Sequence, residues 1–132
     1  MKGLVREAPM DQTDIDLGEG AFVDYAPGFL SPEEAWATYE QLMSEESFEN
    51  RAINVFGKEV MQPRLIAWAG DLPYRYSGQT LPPKPASKTL ATLHAKVEAA
   101  TQCSFNHILL NYYRDGRDNM GMHADNEPEL GK

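Results

Sequence analysis

Turn-forming residues occur at short intervals along this chain and limit the length of its regular elements. Pro27-Gly28, Phe56-Gly57 and Asp115-Gly116 are turn signals, and residues 77–87 form an irregular connector that contains three prolines. The strongest strand signal between these turns is the apolar run over residues 105–113. The sequence therefore predicts short strands separated by turns.

Two amphipathic helices are predicted among these strands. Ser31 precedes Pro32, and Glu34 completes a capping box, which favours a helix start at this position. A second helix is predicted from about residue 87 to residue 100, because apolar residues recur there at helical spacing. The fold class predicted from helices and strands together is α+β.

Four further strand segments complete this prediction. They are residues 21–25, a hairpin over residues 51–60, residues 63–68, and residues 119–125, with a turn at residues 69–73.

Length and composition exclude several classes of protein. A chain of 132 residues suits one domain, here residues 21–132, preceded by a flexible acidic arm over residues 1–20. The single cysteine, Cys103, excludes a disulfide scaffold and a zinc cluster, and no apolar run is long enough to span a bilayer. Without a secretory signal, we expect a cytoplasmic protein in a bacterium or a nuclear protein in a eukaryote.

The net charge of −8 is unevenly distributed. Residues 1–50 contain 12 Asp and Glu residues against only Lys2 and Arg6, whereas residues 51–132 contain 8 acids and 10 Lys and Arg residues. The acidity therefore belongs to the N-terminal third. The composition of the remainder permits a nucleic-acid partner without requiring one.

The motif His123-Ala124-Asp125 is the sharpest candidate for chemistry. On an extended strand, side chains two residues apart point to the same face, so the imidazole and the carboxylate could bind one cation. They would supply two of the three ligands of a 2-His-1-carboxylate facial triad. The alternative interpretation is a surface histidine that is hydrogen-bonded near an acid.

Asn111 and Tyr113 are also two residues apart, on the predicted strand that precedes this motif. An amide and a phenolic hydroxyl are suitable hydrogen-bond partners for the carboxylates of a small dicarboxylic acid. The alternative is that the tyrosines here are ordinary strand aromatics.

Four motifs in order resemble the AlkB family of iron(II) and 2-oxoglutarate-dependent dioxygenases. Residues 111–116 followed by residues 123–125 resemble the cofactor-binding region, and residues 63–71 with residues 74–78 resemble the nucleotide-recognition region. Residues 55–58 resemble the hydrophobic finger of the animal double-strand DNA repair members. The resemblance covers residues 22–131.

The resemblance implies a role for each matching residue. His123 and Asp125 would bind Fe(II), while Asn111 and Tyr113 would bind 2-oxoglutarate. The remaining positions would contact the nucleic acid, with Phe56 as a wedge in the base stack: Val55, Phe56, Gly57, Tyr74, Arg75, Tyr76, Ser77 and Asn126. Asn126 stands where the double-strand repair members carry an acidic residue.

The implied fold is a double-stranded β-helix, or jelly-roll, with N-terminal helices. The family's second iron-binding histidine and its 2-oxoglutarate-binding arginines lie further downstream, so we expect the chain to be an incomplete, N-terminal part of the domain. The implied activity is oxidative dealkylation of N-alkylated bases in DNA by a monomer, with 2-oxoglutarate and O2 as co-substrates and no membrane partner. The fragment alone is expected to be inactive. The alternatives are an RNA or protein demethylase and a non-catalytic nucleic-acid-binding fragment.

Overall fold

A computed structural model describes residues 13–76 and 78–125 of the chain. Within these residues two strands come first, followed by a helix, five strands, a second helix and a final strand. The strands form four separate two-stranded sheets, and every strand pair is antiparallel. The described part of the chain thus contains the helices and strands of the predicted α+β class.

The first sheet pairs β1 (Thr13–Gly18) with β2 (Ala21–Tyr25). Strand β2 was predicted, but β1 falls in the segment predicted to be a flexible arm, and this is a correction for residues 13–18. Ile15 and Leu17 alternate with Asp14 and Asp16, and this period of two is the strand signal that composition alone concealed. Residues 1–12 lie outside the described residues.

Helix α1 (Pro32–Glu45) begins where the capping box predicts. The Ser31 hydroxyl accepts a hydrogen bond from the Glu34 amide at 3.1 Å, which satisfies one of the free N–H groups of the first turn. The chain divides into two compact units within this helix, between Glu40 and Gln41. The domain boundary predicted at residue 20 stays a prediction.

The second unit contains three two-stranded sheets and the second helix. The sheets pair β3 (Ala52–Val55) with β4 (Lys58–Met61), β5 (Leu65–Gly70) with β8 (His107–Tyr112), and β6 (Tyr74–Tyr76) with β7 (Gln79–Leu81).

Helix α2 (Lys88–Thr101) confirms the second predicted helix. Its N-cap is Ser87, whose hydroxyl oxygen accepts from the Leu90 amide at 3.2 Å and donates to Glu46 Oε1 at 2.7 Å. The cap therefore both starts the helix and ties it to the segment that follows α1.

The core of the second unit is centred on β5. Ile66, Trp68 and Leu81 are buried together, and Tyr74 and Leu109 pack against them. The Trp68 indole N–H donates to the Pro82 carbonyl at 2.9 Å, so its one polar group is satisfied inside the core. Strand β5 is buried along most of its length.

Three sequence predictions need correction. Strand β5 continues to Gly70, into the predicted turn, and β7 lies within the predicted irregular connector. The predicted strand over residues 119–125 is wrong, because no strand forms there. The Asn119 amide N–H is bonded to the Pro63 carbonyl and the Asn119 side chain to the Arg117 carbonyl, which holds this segment as a loop.

None of the helices in the described part of the chain combines the length and the apolar character that a bilayer-spanning helix needs.

Candidate functional site

The two residues of the H-x-D motif lie close together, although they are on a loop and not on a strand. His123 Nε2 and Asp125 Oδ1 are 3.4 Å apart, and both side chains are at least half exposed. The convergence predicted for these residues is therefore present, but the strand geometry from which it was predicted is absent. A loop places the two groups together through its turns.

The hydrogen bond made by His123 Nδ1 determines which ring nitrogen can bind a metal. Nδ1 lies 2.9 Å from the carbonyl oxygen of Gly121. A carbonyl can only accept, so Nδ1 donates, and in the neutral imidazole Nε2 then presents a lone pair. Metal-binding histidines commonly donate from the ring nitrogen that is not bound to the metal to a carbonyl, which sets the tautomer and the ring orientation.

The donor set fits a divalent metal ion. In this tautomer, His123 Nε2 and the Asp125 carboxylate are both acceptors, and two acceptors at this separation are compatible with a cation between them. They supply one nitrogen and one oxygen ligand of the facial triad. Residues 13–76 and 78–125 contain no group of three or more His, Cys, Asp or Glu side chains that could hold a metal ion.

Asn111 is positioned by the ladder between β5 and β8. It lies directly opposite Ile66 in the register, near the end of β8. Its side-chain oxygen Oδ1 accepts a hydrogen bond from Arg64 Nε at 2.9 Å. Tyr113 follows immediately after β8, and the residue is 44% exposed.

A compact loop connects these residues to the H-x-D motif. Arg114 and Asp118 form a two-pronged ion pair, with Nε to Oδ2 at 2.7 Å and Nη2 to Oδ1 at 3.0 Å. Arg117 and Asp115 form a second pair, with Nη2 to Oδ2 at 2.8 Å. Hydrogen bonds from Arg114 lower the pKa of Asp118 to about 2, and those from Arg117 lower the pKa of Asp115.

The loop is anchored to the start of β5. The Asn119 amide N–H donates to the Pro63 carbonyl at 3.0 Å. Asp118 has a side chain that is only 8% exposed and also accepts from the Arg114 backbone amide at 2.9 Å. The path from Tyr113 to His123 is therefore held by specific bonds near its beginning. Within the described ranges, no hydrogen bond or ion pair joins Asn111 or Tyr113 to His123 or Asp125.

The predicted finger is the tip of the hairpin between β3 and β4. Val55 and Lys58 are paired, and Phe56 and Gly57 form a two-residue turn with φ values of 50° and 78°. Two positive φ angles are the mark of a type I′ turn, which fits the twist of a hairpin but strains an aromatic residue. Phe56 is completely exposed, with a relative exposure of 102%.

The predicted substrate-contacting residues have different surroundings. Tyr74 packs against the core and lies edge-on to His107, with ring centroids 4.5 Å apart, whereas Arg75 is exposed. Tyr76 ends β6, but its side chain is outside the described part. Ser77 and Asn126 also lie outside the described residues, so their predicted roles remain predictions.

Arg64 is the residue that sequence reasoning missed. Its relative exposure is only 7%, and its bond to Asn111 is to a residue 47 positions away. A sequence shows the pair Pro63-Arg64 but not its partner, because that partner is defined by the strand register. A second feature that the sequence did not predict is a cavity of about 120 Å³ beside Gly70, His94 and His107.

Comparison with known proteins places the chain in a family. The model of the 2OG-Fe(II) oxygenase superfamily matches residues 22–132. The chain therefore belongs to this superfamily, whose name states the cofactor, Fe(II), and the co-substrate, 2-oxoglutarate.

Individual relatives confirm the resemblance to the AlkB family. The chain is 41% identical over 106 residues to the mouse alpha-ketoglutarate-dependent dioxygenase alkB homolog 3, covering 80% of this chain and 37% of that protein. It is 38% identical over 117 residues to the bovine DNA oxidative demethylase ALKBH2, covering 85% of this chain and 42% of that protein. The corresponding Arabidopsis thaliana demethylase is 30% identical over 135 residues, or 94% of this chain and 41% of its own length. The chain spans less than half the length of these relatives.

Proposed function

We propose that this protein is an Fe(II)- and 2-oxoglutarate-dependent dioxygenase that removes alkyl groups from the nitrogens of DNA bases. The observation that carries the proposal is the pairing of His123 Nε2 with Asp125 Oδ1 at 3.4 Å, with the histidine tautomer set by Gly121. The similarity to a DNA oxidative demethylase supports DNA as the substrate. We also propose the jelly-roll as the complete fold, of which β5 and β8 form the described part of one sheet.

The proposed mechanism assigns binding and orientation to this chain. When bound, the iron would supply oxidation of the N-alkyl carbon by O2, with one oxygen atom entering that carbon and the other entering succinate as 2-oxoglutarate loses carbon dioxide. His123 and Asp125 would hold the metal, and the Gly121 carbonyl keeps the proton on the far side of the imidazole. The Asn111 amide N–H and the Tyr113 hydroxyl would donate to the carboxylates of 2-oxoglutarate.

The hairpin tip would give the protein access to a base inside duplex DNA. A base must leave the stack before its alkyl group can reach a metal site, and an apolar wedge can occupy the space it leaves. Phe56 is suited to this role because its ring contacts solvent on all sides and its backbone is held by an Asn54 side-chain bond to the Gly57 amide at 2.8 Å. Val55 and Gly57 would shape the finger.

The flipped base would then meet the residues around β6. Tyr74 is anchored in the core, so it would present a fixed edge, and Arg75 is exposed and would contact the nucleic acid. Tyr76, Ser77 and Asn126 complete the proposed substrate-binding set. An amide at position 126, in place of a carboxylate, would weaken the attraction of the pocket for a positively charged methylated base.

The metal and the co-substrate are tested in the complete gene product. Calorimetric titration with Mn(II) under anaerobic conditions, followed by 2-oxoglutarate, should show binding of both, and His123→Ala should abolish metal binding. Removal of a methyl group from a single methylated base in DNA should require Fe(II) and 2-oxoglutarate. Metal binding that survives His123→Ala would reject the assignment of the site.

The wedge role of Phe56 is tested by comparing activity on duplex and single-stranded DNA. Phe56→Ala should lower kcat/KM on duplex DNA by about ten- to a hundred-fold, because unstacking a base step costs a few kcal/mol. It should change activity on the same lesion in a single strand much less. Val60→Ala, on the same exposed hairpin, is the matched control and should leave both activities unchanged. Equal losses on both substrates would reject the wedge, and activity on RNA alone would favour an RNA demethylase.

A further inference from the structure

Arg64 and Asn111 form a cross-strand pair at the point where the site begins. Arg64 precedes β5 by one residue, and the register pairs Ile66 with Asn111. Arg64 lies in the bend that leads into β5, and its side chain reaches Asn111 on the neighbouring strand. The guanidinium is buried, whereas Asn111 is exposed. The pair therefore joins a fixed interior group to a group that faces outward.

The bond between them determines the orientation of the Asn111 amide. Arg64 Nε donates at 2.9 Å, and a guanidinium has no acceptor, so the atom that faces it must be the amide oxygen. The amide NH2 group then points away from Arg64. Without this bond, the two orientations of the amide would interconvert, and one of them would present an oxygen to any anionic ligand.

Orientation matters because the proposed ligand is a carboxylate. A carboxylate accepts hydrogen bonds, so it binds the NH2 side of the amide and is repelled by the oxygen side. A side chain that is already held in its binding orientation loses little conformational entropy when the ligand binds. The affinity is higher for that reason.

The dipeptide Pro63-Arg64 also holds the loop that leads to the metal ligands. The Pro63 carbonyl accepts from the Asn119 amide at 3.0 Å, so consecutive residues contact both ends of the segment from Asn111 to Asn119. Both ends of that segment are thus hydrogen-bonded to the two residues that precede β5. Hydrogen bonds from supporting residues of this kind keep ligand-binding side chains close to the positions and orientations that binding requires.

We propose that Arg64 is a positioning residue for 2-oxoglutarate, acting through the Asn111 amide and without touching the co-substrate. The inference rests on the proposed function, since it takes Asn111 as a ligand-binding residue. The competing explanation is that Arg64 serves only to stabilise the fold, as a buried group with a satisfied donor.

A double-mutant cycle separates these explanations. In the complete gene product loaded with Mn(II), 2-oxoglutarate affinity is measured by calorimetry for Arg64→Met, Asn111→Ala and the double variant. Arg64→Met should weaken binding about three- to ten-fold, within the range of one hydrogen bond. Arg64→Met should have no further effect on affinity in the Asn111→Ala background, because the side chain that Arg64 orients is already absent. Arg51→Met, which removes a half-buried arginine paired with Glu49 instead, is the matched control and should leave the affinity unchanged.

Asn111→Asp gives a second, independent readout. A carboxylate keeps an acceptor for Arg64 but has no N–H to donate, so the melting temperature should be retained while 2-oxoglutarate affinity falls more than ten-fold. Retained affinity in this variant would mean that the Asn111 N–H does not bind 2-oxoglutarate, and the inference would fall together with the proposed role of Asn111. If Arg64→Met does not fold, Arg64→Lys, which keeps the buried positive charge without the Nε donor, takes its place in the double-mutant cycle, and equal loss of affinity with and without Asn111 would overturn the inference.

The outcomes distinguish the inference from the proposed function. If Arg64→Met lowers only the melting temperature, or lowers affinity equally with and without Asn111, then Arg64 is not a positioning residue, although Asn111 remains a ligand. If Asn111→Ala itself leaves the affinity unchanged, the proposed role of Asn111 in the co-substrate site fails instead.

Discussion

The tip of the β3–β4 hairpin and the ladder between β5 and β8 are opposite extremes of the same unit. In the ladder, Ile66 and Ala67 have no exposed surface, and each backbone position has a partner in the register. At the tip, Phe56 is wholly exposed and its backbone has a positive φ. Burial in the ladder stabilises the fold, whereas the exposed aromatic ring at the hairpin tip contributes no packing. An arrangement that costs stability without contributing packing points to a function.

The largest expected effect is in the ladder. Ile66→Ala should lower the free energy of unfolding by about 2–5 kcal/mol, because it leaves a cavity in the cluster with Trp68 and Leu81. Val60→Ala on the exposed hairpin should cost less than about 1 kcal/mol by comparison. Chemical denaturation of the two variants measures the difference. Similar losses would mean that the hairpin is packed in solution and that the contrast between the regions is false.

The next effect concerns close packing at the end of the same ladder. A Cβ atom at Gly70 would lie 2.7 Å from the Asn106 carbonyl oxygen and 3.2 Å from His107 Cα. Gly70→Ala should therefore cost about 1–3 kcal/mol through backbone displacement. Gly116→Ala is the matched control, because a Cβ there meets nothing within 4 Å, and it should have little effect on the melting temperature. A Gly70→Ala variant as stable as the control would show that the strands can separate at this end.

Both of these regions contain elements that the sequence predicted. The apolar run of β8, the Phe56-Gly57 turn and both capped helices follow from local residue patterns, and the structure confirms them. Their signals lie within a few neighbouring residues, as hydrophobic periodicity and cap chemistry do. The strand β1 was missed because its alternation lies in an acidic segment.

The candidate site was only partly predictable, for a different reason. The spacing of His123 and Asp125 correctly predicted that they converge, but the predicted strand does not exist, and the local bonds of the loop bring them together. Arg64 could not be assigned at all, because its partner Asn111 is specified by the pairing of two strands that are distant in sequence. Register is a property of the whole sheet, and short motifs do not contain it.

A smaller effect tests the strain at the hairpin tip. Phe56→Asn should raise the free energy of unfolding by roughly 1 kcal/mol, because asparagine tolerates the left-handed region that this turn requires. The same variant should lose activity on duplex DNA, since the apolar ring is gone. Phe56→Leu is the control for the backbone, as leucine has the same strain as phenylalanine and should give no gain in stability. If Phe56→Asn were less stable than the unchanged protein, the ring would have packing contacts and would not be a free wedge.

The smallest expected effect is a pH dependence in the ladder that the hairpin tip lacks. Burial lowers the pKa of His107 below its ordinary value of 6.5, and its ring lies against Tyr74, beside a cavity also lined by His94, Asp71 and Lys84. The unfolded chain therefore takes up a proton at this residue before the folded protein does as the pH falls. Stability from this group should be complete above about pH 6.5 and should decrease at lower pH until the folded-state pKa is passed.

Replacement of the imidazole by a group that does not titrate, in His107→Phe, should flatten the fall in melting temperature between about pH 7 and pH 5. His94→Gln leaves His107 in place and should keep the fall. An unchanged pH profile in His107→Phe would show that the acid sensitivity comes from another residue and that this end of the ladder is open to water.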